Sequence, residues 1–406
     1  MLPFLWHNGV FMERIYFVED IVEHQDDDLA SIVLFNASLF WDIEKNIQKE
    51  ESDDSKYFLV EKIAKSKASE IKQGSFITFN SEMQFYKKAN GSSVAKHFIF
   101  QNNKYRKILI DRTVSQEKKE ELLDTEIVSY HVNVGHGNCS FVVGKNTKKI
   151  WLIDCSNYDF LQKKNYQKNI DNCILEIMSK YGMSKFYISK IFITHPHYDH
   201  YSGVNTLINK GFIDAKSIFY INHWYTFSSG SWNKLLGRIV KLGSKQIEPL
   251  SCNSDVGCEI IYPEISVVRT QVTPGSTPKT IVDSNPNNAS TVLKIKSRNK
   301  SFVFTGDIET AGWSNVKKCC LHFKNCDYYV ISHHGSDTGH IKTNCTISNV
   351  NCCLSNNVQA ILMGRDGAYS GIYSKTVISN FKNINYTECA QNFLEIEWDS
   401  NKITRY

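Results

Sequence analysis

The chain has 406 residues, 42% of them hydrophobic, and a formal net charge of +5. That length has room for two or three domains with an ordinary globular core. No apolar run approaches the roughly 18 residues of a membrane span, and no charged segment leads into a signal-peptide core, so the expectation is an unsecreted, cytoplasmic protein with no membrane contact. Its 12 cysteines include the adjacent pairs Cys319-Cys320 and Cys352-Cys353 but no C-x-x-C, which argues for reduced thiols and against a zinc ribbon or thioredoxin-like motif. Charge is unevenly divided: residues 1–126 carry 17 Lys and Arg against 22 Asp and Glu, a net of −5, whereas the other 280 carry 30 against 20, a net of +10. A positive field over the larger part favours a phosphate-bearing ligand, although a merely solvated basic face fits the charge equally well.

In chain order, strand-like runs come first at Arg14 to Val18, Ser31 to Phe35 and Ser75 to Phe79, followed by a strand pair at Lys96 to Phe100 and Tyr105 to Ile110. Tyr57 to Ile71 has helical spacing. No catalytic motif falls here, and residues 1–112 are expected to form an α+β accessory domain. The charged stretch from Ser115 to Glu126 reads as a short helical linker, placing the linker at residues 113–126.

From Ile127 the pattern changes to strand, tight Gly turn, strand, strand, ending at Asp154-Cys155-Ser156. A helix over Ile170 to Tyr181 leads into the apolar run Tyr187 to Ile193. Further strands are expected at Ser217 to Tyr220, Thr291 to Ile295, Phe302 to Phe304, Tyr328 to Ile331, Ala360 to Met363 and Phe393 to Trp398.

The densest chemistry follows Ile193. The stretch Thr194-His195-Pro196-His197-Tyr198-Asp199-His200 places three imidazoles and a carboxylate on a strand-to-helix loop, where they can turn toward a common centre. Imidazole is the commonest protein ligand for transition metals, and carboxylate adds a harder donor. A structural zinc site would favour paired cysteines, so a His and Asp set of this kind points to a catalytic centre with open metal positions.

These segments resemble the metallo-β-lactamase-fold hydrolases. Five of them stand in the family's order: Asp154, then HPHYDH, then Asn287-Asn288-Ala289-Ser290, then Thr305-Gly306-Asp307, then His333-His334-Gly335-Ser336. Within that superfamily the chain looks most like the hydrolase domain of the bacterial DNA-uptake channel ComEC and its soluble relatives. Their pattern is a V-G-x-G turn, L-I-D, H-x-x-x-D-H, N-x-x-S, T-G-D and H-H-G-S. The resemblance covers residues 127–406 and implies an α/β fold, an αβ/βα sandwich of two sheets between helices with the metals at one edge. One departure is the turn Asn133-Val134-Gly135-His136-Gly137-Asn138, which adds His136, either a substrate contact or a turn residue. Another is the lack of the histidine that many superfamily members supply between the second and fourth segments; His223 is an improvised candidate for it.

Read for their chemistry, His195 and His197 are two apart in a tight loop and can bind one ion, while Asp199 and His200 face a second. Asp307 can bridge both, and His334, with His333 as the alternative, completes the second. Asp154 at a strand end suits a carboxylate that orients a ligand imidazole. The catalytic set is thus Asp154, Asp199 and His334, with Asn288, Ser290, His136, Arg365 and Tyr369 as substrate contacts. Two divalent ions, zinc or manganese, can hold a bridging hydroxide and clamp a phosphodiester undergoing in-line attack. The leading expectation is a nuclease or phosphodiesterase on DNA or another nucleic acid, with the first domain recognising substrate or a protein partner. Its rivals are a small-molecule hydrolase of a phosphoester, lactone or β-lactam, and a regulatory module with a degenerate site. No P-loop and no G-x-S-x-G is present.

Overall fold

The computed structural model describes residues 4–7, 10–23, 28–40, 56–79, 86–111, 123–221, 229–246, 256–263, 285–316, 326–340, 354, 357–368 and 371–406. The chain divides into two compact units, Met1–Asp111 with Thr226–Leu242, and Arg112–Tyr225 with Gly243–Tyr406. Most of the expected linker, together with His223 and Tyr369, lies outside the described residues.

The first unit is built on an antiparallel sheet whose strands run Tyr57–Ala64, Leu29–Asn36, Tyr16–Glu23, Phe76–Phe79, Tyr86–Lys88 in spatial order. Two expectations are corrected here. Lys96 to Phe100 and Tyr105 to Ile110 are not a strand pair but one helix, Ser93–Asp111. The buried residues Ala95, Phe98, Asn102, Tyr105 and Leu109 recur at alternating steps of three and four, the stripe of a helix, with Gln101 buried beside Asn102; the aromatic and branched residues between them obscure it. Tyr57 to Ile71 is not a helix but the strand Tyr57–Ala64 and a single turn, Lys65–Ala68. Pairing with Leu29–Asn36 supplies a ladder of backbone hydrogen bonds that outweighs a weak helical preference.

A helix from the middle of the chain, Gly230–Leu242, completes this unit. Asn102 Nδ2 donates to Asn233 Oδ1 at 2.9 Å, and Asn233 Nδ2 donates to the Phe98 carbonyl at 3.1 Å. Trp232, Leu235, Leu236 and Ile239 are buried. A chain beginning at Arg112 would therefore leave this apolar helix without its partners and is expected to aggregate. The same truncation with residues 226–242 replaced by a Gly/Ser linker is expected to remain folded and monodisperse. Melting temperature and size-exclusion behaviour of the two chains would check this.

The second unit contains two sheets. Eight strands lie in the order Lys245–Gln246, Ile218–Ile221, Ile188–Ile193, Ile150–Cys155, Cys139–Gly144, Ile127–Val132, Phe393–Glu397, Lys402–Arg405. Six lie in the order Glu259–Tyr262, Val292–Lys296, Ser301–Phe304, Tyr328–Val330, Gln359–Leu362, Asn383–Tyr386. Trp151, Phe192 and Tyr220 from the first sheet, with Trp398 just after its strand Phe393–Glu397, meet Leu293, Phe302, Phe304 and Tyr328 from the second in one core. The second sheet's outer face packs on Trp313 and Val377 of the helices Thr310–Asn315 and Lys375–Ile378. On the other side, the buried residues Ile170, Cys173, Ile174 and Ile177 of Gln167–Lys180 face the first sheet. With helices on both outer faces, the central strands are buried on both sides and read as near-continuous apolar runs. This is the expected αβ/βα sandwich.

One imidazole is embedded in that core. His131 accepts or donates through Nε2 to Ser129 Oγ at 3.0 Å and through Nδ1 to Ser140 Oγ at 2.9 Å, and its ring stacks on Phe302. Burial pushes its pKa down from 6.5 to about 3. The unfolded chain therefore binds this proton below pH 6.5 while the folded chain does not, so the contribution to stability is complete above that value and is lost as pH falls toward 3. His131→Phe keeps the ring contact but takes one partner from each of two buried hydroxyls, leaving Ser129 only the Trp398 Nε1–H and Ser140 only the Met363 sulfur, and should cost about 1–3 kcal/mol at neutral pH. The difference between parent and variant should shrink by up to about 1.4 kcal/mol per pH unit on acidification, as measured by denaturant unfolding.

Candidate metal centre

The loops that carry the candidate ligands all leave strand ends. Asp154 lies in the last positions of Ile150–Cys155, and the HPHYDH loop follows its parallel neighbour Ile188–Ile193. Asp307 follows Ser301–Phe304, and His333-His334 follows that strand's parallel neighbour Tyr328–Val330. Parallel pairing brings successive loops out at the same end of each sheet, so residues as distant in sequence as Asp199 and His334 converge.

Four side chains form a single group. The candidate ligand atoms of Asp199, His200, Asp307 and His334 all lie within 4.8 Å of one another. Asp307 Oδ2 is 3.2 Å from both His200 Nε2 and His334 Nε2, and Asp199 Oδ2 is 3.3 Å from His334 Nε2. His195 and His197 flank the group, their rings 4.7 Å apart, with the His195 ring 4.1 Å from that of His200.

Each imidazole is aimed by a specific partner. Asp154 Oδ1 accepts the Thr194 backbone N–H at 2.7 Å, and Oδ2 accepts the Thr194 hydroxyl and His200 Nδ1–H, each at 2.8 Å. That turns His200 Nε2 toward Asp307. His334 Nδ1 lies 3.1 Å from the Met363 carbonyl, which can only accept, so Nδ1 carries the proton and Nε2 faces the carboxylates. His333 and His334 both have left-handed φ, 48° and 51°. The strain of two such residues in succession, of order 1 kcal/mol or more each, splits the pair: His334 enters the group, while His333 Nδ1 meets Thr338 Oγ1 at 2.9 Å and Glu309 Oε1 at 3.4 Å.

The expected substrate contacts occupy different surroundings. Asn288 Oδ1 accepts the Gly312 N–H at 2.7 Å, and Ser290 Oγ accepts the Asp307 N–H at 3.1 Å, so both are engaged in holding loops of the protein itself. His136 is buried with its ring 4.3 Å from that of His334 and its Nε2 3.5 Å from Asp199 Oδ2. Gly137 allows this: at φ 144°, a Cβ there would lie 2.7 Å from the Asp199 carbonyl oxygen. Arg365 Nε donates to buried Asp159 at 3.0 Å. Asp159 and Glu309 were not singled out in the sequence. Both work through neighbours distant in sequence or through backbone N–H groups, and the only local hint was Glu309 two places after Asp307.

The group fits a divalent cation. Nε2 of His195, His200 and His334 and Oδ1 of Asp307 are buried and make no hydrogen bond. Burial lowers the pKa of His334, but Asp307 and Asp199 overcome it and raise it to about 10. His200 is likewise raised well above its ordinary value against burial, by Asp307, Asp154 and Asp199. Burial works to raise the Asp199 and Asp307 carboxyls, yet the imidazoles, His200 foremost, hold both well below the usual range. This is a buried field that favours positive charge. His195 and His197 are pushed down by burial, His197 to about 4, so both present neutral rings suited to a metal.

Removing His334 should release bound metal, whereas removing His333 should not. His334→Ala is expected to lose most of the divalent metal that the parent retains by elemental analysis, while His333→Ala keeps it. Asp154→Asn should weaken metal affinity by about 10–100-fold with the ligands intact. Equal metal loss from both histidine variants would break this assignment.

Among known proteins, none of the curated ones compared with the chain is similar to it. Among solved structures, a Parabacteroides distasonis protein described as a metal-dependent hydrolase aligns over 63% of this chain and 91% of its own, at 11% identity and a TM-score of 0.34. A diphosphatase of the PhnP family aligns over 67% and 98%, at 12% identity and a TM-score of 0.35. Residues 132–312 match the family described as the metallo-beta-lactamase superfamily, a stretch that contains Asp154, the HPHYDH loop and Asp307 and ends before His333. The chain carries a metallo-beta-lactamase superfamily domain.

Proposed function

We propose that the chain is a metal-dependent phosphodiesterase or nuclease that uses a pair of divalent ions, zinc or manganese. The observation that carries this reading is the group of Asp199, His200, Asp307 and His334, whose candidate ligand atoms lie within 4.8 Å of one another and in which the buried Nε2 atoms of His200 and His334 make no hydrogen bond. His195 and His197 would hold one ion, and Asp199, His200 and His334 the other, with Asp307 between them. Bound divalent ions supply two things at such a site, a lowered pKa for water and neutralisation of charge on phosphoryl oxygens.

The rest is the work of the chain. Asp154 and the Met363 carbonyl keep His200 and His334 in the tautomer that presents Nε2. Ser290 fixes the backbone of Asp307. Burial of the ligand side chains excludes bulk water and strengthens every charge interaction there. The net charge of +10 after residue 126 supports an anionic polymer as substrate, through attraction of phosphates over a long range. The first unit, which holds none of the candidate ligands, would recognise substrate or a protein partner. Among the described residues no helix is long and apolar enough to cross a membrane, and the reading assumes action in the cytoplasm.

The metal-loaded protein should cleave bis(4-nitrophenyl) phosphate and at least one of single- or double-stranded DNA or RNA. His197→Ala, Asp199→Ala and the double variant should lose activity to nearly the same extent, because residues that act as a unit are not additive. Independent, multiplicative losses would count against one shared centre. Cleavage of small esters without any polymer would move the assignment to a small-molecule hydrolase. Metal binding without hydrolysis of any ester would favour the regulatory alternative.

A further inference from the structure

A buried carboxylate outside the ligand set ties together two loops at the edge of the metal centre. Asp159 is fully buried and is saturated with donors. Oδ1 accepts the backbone N–H groups of Leu161 and Gln162, each at 3.0 Å. Oδ2 accepts the His136 N–H at 3.1 Å and Arg365 Nε at 3.0 Å. One side of this clamp leads through His136 to Asp199. The other leads through Arg365 to Gly364, which is pressed against His334: a Cβ at Gly364, whose φ is 118°, would lie 3.0 Å from His334 Cβ. Arg365 is thus one residue from the backbone that touches a candidate ligand.

The guanidinium is only partly used. Nε is held by Asp159 and Nη1 donates to the Asp366 carbonyl at 3.3 Å; among the described residues Nη2 makes no hydrogen bond. The side chain is 22% exposed, whereas the carboxylate that holds it is fully covered. A fork anchored at one edge by a buried acid and open at the other is oriented before any ligand arrives, which lowers the entropy lost on binding. Its geometry matches two oxygens of a phosphoryl group. A neutral ester, lactone or amide offers no matching pair of charged oxygens.

We propose that Arg365, aligned by Asp159, receives an anionic oxygen of a phosphoester at the metal centre, with Asp159 as its positioning residue. The assignment rests on the hydrolytic reading above and narrows it, selecting charged phosphoesters over neutral esters and lactones. Asp159 touches no substrate; it acts through Arg365 and the His136 turn.

The test uses the full-length metal-loaded protein and its variants Arg365→Gln, Arg365→Lys and Asp159→Asn, after metal content and melting temperature are shown to match the parent. Inorganic phosphate is the probe, titrated by calorimetry. Arg365→Gln should weaken its binding by about tenfold or more. Arg365→Lys should recover only part of the loss, because it restores charge without the fork. Asp159→Asn should approach Arg365→Gln although it leaves the arginine in place. With bis(4-nitrophenyl) phosphate the same variants should raise KM more than they lower kcat. Phosphate binding by Arg365→Gln equal to the parent's would overturn the proposal, and parental binding by Asp159→Asn would remove Asp159 from it. Should Asp159→Asn not fold, the lysine and glutamine variants still decide, since full recovery by lysine would mean bulk charge rather than an aligned fork. A parent that binds phosphate but hydrolyses no phosphoester would end the hydrolytic reading and leave this comparison intact.

Discussion

The contact on which the second unit depends is Asp307 Oδ2 set 3.2 Å from both His200 Nε2 and His334 Nε2 in a buried site. Gathering carboxylates and imidazoles out of water is costly, and Coulomb attraction offsets that cost only where the geometry is held. The surrounding loops supply that restraint. Ser290 takes the Asp307 N–H, Thr194 offers both its N–H and its hydroxyl to Asp154, and Thr291 N–H donates to the Thr194 carbonyl at 2.9 Å. The last of these ties the loop of one sheet to the start of the strand Val292–Lys296 in the other. The donor set therefore spans the seam of the sandwich, and the fold's two sheets are as necessary to it as the ligands are.

What could be read in the sequence follows from how local each feature is. The HPHYDH loop and the Thr305-Gly306-Asp307 and His333-His334 segments stood out as candidates because each directly follows an apolar strand, so strand and candidate ligand form one contiguous pattern. Most strands of the second unit were legible too, since burial on both faces leaves unbroken apolar runs. Asp159 was not, because its meaning comes from Arg365, 206 positions away, and from backbone donors that leave no mark in composition. Choosing between His333 and His334 was equally beyond the sequence. Two adjacent histidines are chemically identical there, and only the left-handed backbone, which sends one to Glu309 and the other to Asp307, distinguishes them.

The first unit misled for a different reason. In Ser93–Asp111 the exposed positions Ile99 and Phe100 are as apolar as the buried ones, so content resembles strand while only the spacing of buried residues is helical. The helix Gly230–Leu242 could not be assigned to a unit by position at all, because it lies within the run of sequence that otherwise builds the sandwich. Its Asn233, buried and bonded to Asn102 and the Phe98 carbonyl, specifies its partner: a buried amide tolerates only a docking that satisfies it.

The two candidate-ligand imidazoles with settled tautomers are oriented by unlike partners, and the difference bears on the chemistry such a site could do. His200 leans on the Asp154 carboxylate, whereas His334 leans on a neutral carbonyl, Met363. A charged acceptor raises the basicity of the opposite nitrogen more than a neutral one does, so His200 should be the stronger electron donor of the two. His334 is held more loosely by charge but more tightly by packing, since Gly364 lies against its Cβ and ring, leaving it little freedom to turn. Asp154 itself sits at φ 53°, a backbone conformation that aspartate tolerates better than most residues. The carboxylate that orients His200 is therefore placed by a strand end in the left-handed region, next to the strand that leads into the HPHYDH loop.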